Sequence, residues 1–584
     1  MASIFQRLIG LETEYAVRFR PNDPCDSQLS KFQLYSALVS SLRNRILAVE
    51  AKHFKEGIFT ASGGAVWFEA EKPSGGGGLV EGATPECRGP RQLLTYQRAQ
   101  DRLLSEAATS AGTEGLFQLV KNDRDGFGNV YGAQENYEAV TARGWRLGMW
   151  RLGLIALLPL VLLTWLGFFL LICGTLLYLA VAAVVFVPLQ LFTRNSKPLA
   201  LMMFGGDLVE GKETGSPAPA WLESLVLAAT RVLSAPLAGA LMVLSWLTLF
   251  HDVRQKMLAF LVSRAVMTGS GMIDSDGAFH LADKAAAINC VLGYGGFLGD
   301  RPIFTLGHFF KAICVESFFS PRDYLDLMSN TGRLQIGLGD SNMTQSGEYL
   351  RIATTLLILD GIEAGQLNDL PRVRKPIAAL HAICADPTLR TEVELKDGRR
   401  MTALQIQRIY LDACYQFVQQ ADDPPAEVYG VLRLWDETLE QLEDMQEMQV
   451  IPMSLVGGVD WVSKKYLVDN AGDSATWSER KKIDLRYHEL SSDGYYNRLA
   501  RTGVATVVVD DEEIERAMRS APANTPATTR GHYIREFAQG DEQVTVNWKS
   551  VIIGQGFGAK VIRLSKYGQP RDRVDDNNVR SPAV

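Results

Sequence analysis

The sequence lacks the short motifs that identify several large enzyme classes. No G-x-x-x-x-G-K-[ST] segment occurs, which excludes a P-loop, and the glycine-rich GYGGFLGD and GQGFGAK do not fit G-x-G-x-x-G. The 7 histidines are isolated and have no zinc spacing. The 7 cysteines are odd in number and form no C-x-x-C pair, which favours reduced thiols over a disulfide framework.

An excess of basic charge is also absent. Charged residues make up 21% of the 584 residues and the net charge is -7, which disfavours a nucleic-acid-binding role. The start of the chain, MASIFQRLIGLETEYAV, has no basic segment followed by an apolar block, so we expect no cleaved signal peptide. The length allows two or more domains and a large core.

A long uncharged run dominates the middle of the chain. Leu152 to Thr193 contains no Asp, Glu, Lys or Arg over 42 residues, whereas a bilayer span needs roughly 20. The run therefore predicts two membrane-spanning helices with a break around Gly167 to Gly174. Basic residues flank the run on both sides, so we expect both of its ends to be cytoplasmic (Arg143, Arg146, Arg151, Arg194 and Lys197).

A second apolar stretch runs from Val232 to Phe250. It contains Pro236 and follows Arg231. We interpret it as interfacial or re-entrant, because a third crossing would place the flanking halves of the chain on opposite sides of the membrane. The alternative to a membrane insertion is a large hairpin buried in a soluble core.

Carboxylates recur in short strand-like stretches. Glu12 and Glu14 share one face if GLETEYAV is a strand, and so do Glu69 and Glu71 in GGAVWFEAE. Such pairs are either exposed strand faces or, together with Glu81, oxygen ligands for Mg²⁺ and a phosphate.

A family resemblance favours the second interpretation. GLETEYA, GGAVWFE, VEGATPEC and KNDRDGFGNVYGAQENY resemble, in order, motifs of the Pup ligase and Pup deamidase/depupylase family. FLVSRAVMTGSG, GLGDSNM, IDLRYHEL, TTRGHYIREF and VTVNW continue the match, which covers nearly the whole chain apart from about 140–254. This family belongs to the glutamine-synthetase-like carboxylate–amine ligases.

The resemblance implies an α+β fold, with a curved antiparallel sheet backed by helices. Residues 1–140 and 255–500 would form the catalytic domain, 141–254 a transmembrane insertion, 501–568 a small C-terminal domain and 569–584 a disordered tail. The insertion would hold the catalytic domain at the cytoplasmic face of a bacterial inner membrane, with residues 152–193 contacting lipid.

The resemblance also implies roles for particular residues. Glu12 and Glu81 would ligate Mg²⁺, Thr84 would contact ATP, and Trp548 would pack against the nucleotide. Glu69 stands where the family has its catalytic aspartate and would accept the proton of the attacking amine. Three further glutamates are candidates for the same carboxylate cluster (Glu14, Glu86 and Glu135).

The chain departs from the family pattern at several of these positions. Ala65 replaces an ATP-contacting arginine, Trp67 a metal-coordinating tyrosine, and Gln134 a histidine. Arg530 and Arg535 are candidate substitutes for the lost guanidinium. An alignment slip of one residue would put Ala70 at the catalytic position. The family's N-T-R-D-E-P-H segment is not recognisable.

The implied reaction is the ATP-dependent joining of a side-chain carboxylate of a small Pup-like modifier to a protein lysine, linked to a bacterial proteasome pathway. GLETEYA, GDSNM and the short spacing between the first two motifs are similar to the ligase, whereas FLVSRAVMTGSG and LILDGIEAG are similar to the deamidase. Amide hydrolysis, or a catalytically degenerate membrane scaffold, are the alternatives.

Overall fold

The computed structural model describes residues 4–23, 29–52, 55–70, 78–124, 130–192, 196–205, 219–296, 299–565 and 579–580. It confirms the predicted α+β class, because one large sheet is backed by many helices. The strands are Leu8–Pro21 (β1), Ala48–Ala51 (β2), Gly57–Thr60 (β3), Ala65–Ala70 (β4), Gly78–Ala83 (β5), Cys87–Arg88 (β6), Gly115–Val120 (β7), Gln134–Val140 (β8), Met272–Ile273 (β9), Phe279–His280 (β10), Cys290–Gly293 (β11), Pro302–Thr305 (β12), Thr331–Ile336 (β13), Glu392–Glu394 (β14), Arg400–Thr402 (β15), Val544–Val546 (β16), Ser550–Ile553 (β17), Lys560–Arg563 (β18) and Val579–Arg580 (β19).

Helices occur in the insertion and in both parts of the chain that flank it. They are Lys31–Arg43, Pro90–Thr109, Trp145–Phe192, Lys197–Phe204, Ala220–Thr248, His251–Ser263, Ala265–Thr268, Gly307–Lys311, Ser317–Phe319, Pro321–Asp326, Gln345–Glu363, Pro376–Cys384, Ala403–Gln419, Ala426–Met448, Asp460–Asp469, Trp477–Tyr487, Tyr495–Leu499, Asp511–Arg519 and Pro526–Phe537, with short 3₁₀ or π turns at Lys284–Ala287, Ala312–Glu316, Ala500–Val504 and Gly556–Gly558. Gln345–Glu363 is buried from Ser346 to Ile362 and forms a core helix.

The main sheet runs in the order β11-β12-β13-β8-β1-β5-β4-β3-β2-β16-β17-β18-β19, and β6 and β7 also pair with β1. Its pairs are antiparallel except β11 with β12 and β2 with β16. The region predicted as a small C-terminal domain, 501–568, contributes β16 to β18 to this same sheet. Of the predicted disordered tail, only Val579–Arg580 is among the described residues.

Alternation along β1 decides which side chains face the helices. Ile9, Leu11, Tyr15 and Val17 are buried, so the residues between them point to the other face. Successive side chains of a strand point to opposite faces, and burying this apolar set fixes the register. The predicted shared face of the two glutamates in this strand is therefore confirmed.

The insertion differs from its prediction. The uncharged run forms one continuous helix, Trp145–Phe192, with no break at Gly167–Gly174. A glycine costs a helix only about 1 kcal/mol. In an apolar surrounding every backbone N–H and C=O must be paired, and this requirement outweighs the cost of the glycines. The antiparallel partner of this helix is Ala220–Thr248, which includes most of the stretch predicted as interfacial.

Two helices of the insertion are long and apolar enough to cross a membrane by length and composition. These segments are Trp145–Gln190 and Trp221–Thr248, and only 6% and 22% of their most apolar windows are buried. The sequence predicted that both ends of the uncharged run lie on the same side of the membrane. In the structure the described basic residues that flank the run lie at opposite ends of one long helix, which corrects this prediction. Arg146 is at the root of the first helix, whereas Lys197 begins a helix beyond its far end.

The root of the insertion packs on the catalytic part of the chain. Trp150 is fully buried and its indole N–H donates to the Leu327 carbonyl at 2.7 Å. Trp165 donates to the Cys314 carbonyl at 3.1 Å, and the Tyr324 hydroxyl donates to the carbonyl of Leu154 in the first helix at 2.7 Å. The Tyr294 hydroxyl also donates to the Ala238 carbonyl of the second helix at 2.6 Å, so both helices contact the part of the chain that follows the insertion.

Candidate active site

A cleft of about 1620 Å³ lies over one face of the main sheet. Glu12, Glu81 and Trp548 line it, together with residues 294–296 and several between 299 and 326. The sequence predicted these three residues as parts of one site, and the structure brings them to one cleft.

Strand register gathers the predicted carboxylates on this face. Glu14 of β1 lies opposite Glu81 of β5, and Glu81 lies opposite Trp67 of β4. Glu69 follows Trp67 by two residues and thus points the same way, as Glu12 does with Glu14. Four of the predicted acids consequently share one face of three neighbouring strands. Glu71 lies outside the described residues.

Protein cations hold most of these acids. Lys55 Nζ lies 2.5 Å from Glu69 Oε2 and 2.6 Å from Glu81 Oε2. The Arg333 guanidinium lies 2.7 Å from Glu12 Oε1. These contacts offset the repulsion that clustered carboxylates would otherwise experience.

Glu69 and Glu81 share their negative charge unequally. Burial raises the pKa of Glu81 well above its ordinary value, and the hydrogen bond with Glu69 raises it further. Burial also opposes ionisation of Glu69, yet the pKa of Glu69 is lowered because Glu81 hydrogen-bonds to it and Lys55 lies beside it. Glu69 is therefore the member of the pair that is ionised and able to accept a proton.

Glu14 is the most enclosed acid of the face. Burial raises its pKa to about 7, although the ammonium of Lys284 and a hydrogen bond from the Gly132 amide act in the opposite direction. The Gly132 N–H donates to Glu14 Oε2 at 2.8 Å. Glu14 thus belongs to the cluster, as the sequence predicted.

The oxygen donors of this face suit Mg²⁺ in kind, because hard cations prefer carboxylates. Within the described ranges, no three His, Cys, Asp or Glu side chains are arranged to enclose a metal ion. The cations Lys55 and Arg333 account for this, since they take the oxygens of Glu81 and Glu12 that an ion would use. The face therefore fits Mg²⁺ by chemistry, provided that the ion displaces the protein cations from these oxygens.

Two of the further glutamates do not join the cluster, which corrects their assignment. Glu135 lies opposite Leu11 on the buried face of the sheet and forms an ion pair with Arg264 at 2.6 Å. Glu86 is held by the fully buried Arg530. Both acids are structural partners of arginines in the core.

Thr84 does not line the cleft. It follows β5, is buried, and its hydroxyl accepts a hydrogen bond from the Leu11 amide at 3.0 Å. Its predicted contact with ATP stays a prediction.

Trp548 forms part of the cleft wall together with aromatic and cationic neighbours. Its ring packs edge-on against Phe59 with centroids 4.9 Å apart, and the Arg530 guanidinium lies 4.8 Å from the Trp548 ring. Arg530 Nε also donates to the Gly63 carbonyl at 3.0 Å. Arg530 is thus part of the cleft wall and Arg535 donates to the Ala61 carbonyl, and their role as substitutes for an arginine at Ala65 stays a prediction.

The sequence reasoning missed the basic side chains of the cleft. Lys55, Lys311 and Arg333 line it, and Arg333 reaches Glu12 across 321 residues of sequence. Burial lowers the pKa of Lys311, against the opposing effect of Glu316. The clustered acids signalled that a cation was needed, but no local pattern indicated which lysine or arginine would supply it.

Comparison with known proteins gives the chain a family. A family model described as Pup-ligase protein matches residues 7–552. The depupylase of Acidothermus cellulolyticus is 33% identical over 52% of this chain and 58% of that protein. The chain therefore spans less than two thirds of the depupylases that it matches at this identity. The Pup–protein ligase of Corynebacterium jeikeium is 24% identical, and the alignment covers 98% of both chains.

The fold is also that of a solved relative. A structure of the Pup ligase PafA in complex with ADP superimposes with a TM-score of 0.58 at 20% identity, covering 94% of each chain. This likeness confirms the predicted architecture of the catalytic part.

Proposed function

The chain belongs to the Pup-ligase family, and we propose that it is an ATP-dependent ligase that joins a side-chain carboxylate of a small Pup-like protein to a lysine amine. The observation that carries the proposal is that Glu12, Glu14, Glu69 and Glu81 share one face of the main sheet, where Glu12 and Glu81 line a large cleft. The end-to-end alignment with a Pup–protein ligase supports ligation, and the ADP complex of a structural relative supports a nucleotide substrate.

The proposed chemistry has two steps. The carboxylate of the modifier attacks the γ-phosphorus of ATP, which forms an acyl phosphate and releases ADP. The lysine amine then attacks the acyl carbon, phosphate leaves, and Glu69 accepts the proton lost by the amine. Glu69 carries the negative charge of its pair with Glu81, as a proton acceptor must.

Magnesium is the metal that the family implies. Glu12 and Glu81 would hold it, and when bound it neutralises phosphate charge during phosphoryl transfer. Trp548 would pack against the nucleotide from the cleft wall. The protein partners would be the modifier and substrate proteins with accessible lysines, in a pathway that leads to a bacterial proteasome.

Amide hydrolysis is the second candidate function. It is favoured by the depupylase relative, whose identity to this chain is higher although it covers about half of it. A hydrolase would release ammonia or free modifier and would not consume ATP for each bond. A catalytically degenerate scaffold is the third candidate, because Ala65, Trp67 and Gln134 depart from the family pattern described above.

We also propose that the insertion anchors the enzyme in the inner membrane of a bacterium with the catalytic domain in the cytoplasm. Two exposed apolar helices and their common root support this arrangement. Two crossings return the chain to the side from which it left.

Nucleotide binding should depend on the carboxylate face. We expect the detergent-solubilised protein to bind ATP with Mg²⁺, and a Glu12→Gln, Glu81→Gln double variant to bind it at least about 10-fold more weakly, because neither side chain can then ionise to ligate the cation while side-chain size is kept. Isothermal titration measures both affinities. Glu437→Gln, on an exposed helix face, is the matched control. No binding by the wild type would favour the scaffold, and equal binding by the variant would contradict the assigned metal ligands.

A further inference from the structure

We propose that Lys55 is a tethered cation that occupies a metal-ion position between Glu69 and Glu81, so that divalent ions must displace its ammonium group to bind there. The proposal rests on the proposed function for the roles of these two acids. It assigns to Lys55 a positioning role, since it acts through the carboxylates that it holds.

The contact is a bridge between two strands. Glu69 lies on β4 and Glu81 on β5, in adjacent antiparallel strands, and one nitrogen meets an oxygen of each at 2.5 and 2.6 Å. These are the short lengths of charge-assisted hydrogen bonds. Lys55 comes from the short connection that precedes β3, so its side chain reaches the sheet face from the edge of the cleft.

The bridge resembles the geometry in which a small cation joins two carboxylates. Mg²⁺ binds carboxylate oxygens at about 2.0–2.1 Å and usually takes one or two carboxylates from the protein. An ammonium and a divalent ion cannot occupy the same gap, because their like charges repel strongly at such short range. Occupation of the Glu69–Glu81 gap by one therefore excludes the other.

The neighbouring residues explain why the chain uses a lysine at this point. Trp67 lies opposite Glu81 on β4, and an indole has no oxygen or lone pair with which to ligate a metal ion. Trp67 is buried, and it packs so closely on Gly57 that a Cβ there would lie 2.1 Å from its ring. Because Trp67 cannot ligate a metal ion, the side chain of Lys55 supplies positive charge directly to Glu69 and Glu81.

The consequence is a site whose metal affinity is set by competition. While Lys55 bridges the pair, Glu69 is hydrogen-bonded and its accepting oxygen is engaged. Entry of a divalent ion at Glu81 would move the ammonium aside and release Glu69. Glu69 would then be available to accept a proton only when the metal position is occupied.

Binding of Mn²⁺ to the full-length detergent-solubilised protein, without nucleotide or modifier, tests the proposal. The electron paramagnetic resonance signal of free Mn²⁺ gives the dissociation constant. We expect Lys55→Met to bind Mn²⁺ at least about 10-fold more tightly than the wild type, and Lys55→Arg to bind as weakly as the wild type. Lys52→Met is the matched control, because Lys52 also lines the cleft, and it should change the constant less than about threefold.

Equal Mn²⁺ affinity in the wild type and Lys55→Met would overturn the proposal, as would an equal gain in Lys52→Met, which would indicate only a general change in charge. If Lys55→Met does not fold, Lys55→Gln, which keeps a donor but removes the charge, is expected to show the same gain. A triple variant with Lys55→Met, Glu69→Gln and Glu81→Gln should lose it. Because no nucleotide is present, this result stands or fails separately from ATP binding and ligation.

Discussion

Replacing Glu69 with glutamine should lower the rate of conjugate formation about 100-fold or more, while nucleotide affinity changes less than about threefold. Glutamine keeps the size of the side chain and its contact with Lys55 but cannot accept a proton. The pKa of Glu69 is lowered and that of Glu81 is raised, so Glu69 is the member of the pair that carries the negative charge. Single-turnover conjugation, with ATP binding measured in parallel, separates the two effects.

Glu50→Gln is the control for this experiment. Glu50 lies on β2, close to β4 in the sheet, but pairs with Arg43 on the surface. It should leave the conjugation rate unchanged. A fully active Glu69→Gln variant would remove Glu69 from the mechanism and would point to a shifted alignment of this strand, with Glu71 as the next candidate.

Removing the outer part of the insertion should release the protein from membranes. The first helix is about 72 Å long at 1.5 Å per residue, more than twice the hydrocarbon thickness of a bilayer. A Cβ at Gly167 would lie 3.0 Å from the side chain of Leu233, so the two helices are in contact there. A Gly/Ser loop of about four residues, spanning roughly 12 Å, can therefore join Leu166 to Ser234.

The shortened insertion keeps only 15 residues of the uncharged run, Leu152 to Leu166, fewer than the roughly 20 that a crossing needs. We expect the wild type to stay in the membrane pellet after an alkaline carbonate wash and the shortened protein to appear in the supernatant. ATP binding by the shortened protein is the control for folding, because Trp150 and its contact with Leu327 are retained. A wild type that is extracted by carbonate would contradict the membrane anchor.

The sequence predicted the carboxylate face because strand alternation is a local property. Glu12 and Glu14 were placed together from spacing alone, and the buried apolar residues of β1 confirm it. The same rule would have excluded Glu135, since Tyr137 and Ala139 of β8 are buried and share its face. The family motif alone suggested Glu135, whereas its position in the strand places it on the buried face.

The remaining features depend on contacts between distant segments. Lys55 reaches Glu69 and Glu81 from the connection before β3, and Arg333 reaches Glu12 from β13. Neither pairing therefore has a pattern in the sequence. The break predicted at Gly167–Gly174 is absent because each helix of the hairpin is longer than a bilayer requires and pairs with the other. The length of a helix and the helix with which it pairs are set by packing, which cannot be derived from amino-acid composition.

The most direct test of the proposed function is the amount of ADP formed for each conjugate. Purified protein would be incubated with ATP, Mg²⁺, a Pup-like protein ending in glutamate and a lysine-bearing substrate protein, and ADP and conjugate would be counted together. Ligation through an acyl phosphate predicts about one ADP for each new isopeptide bond, and conjugate from Glu69→Gln at no more than about 1% of the wild-type rate. If no ADP or conjugate forms, and the protein instead releases ammonia from a Pup-like protein ending in glutamine or free modifier from a ready-made conjugate, the ligase would be contradicted and the hydrolase established in its place.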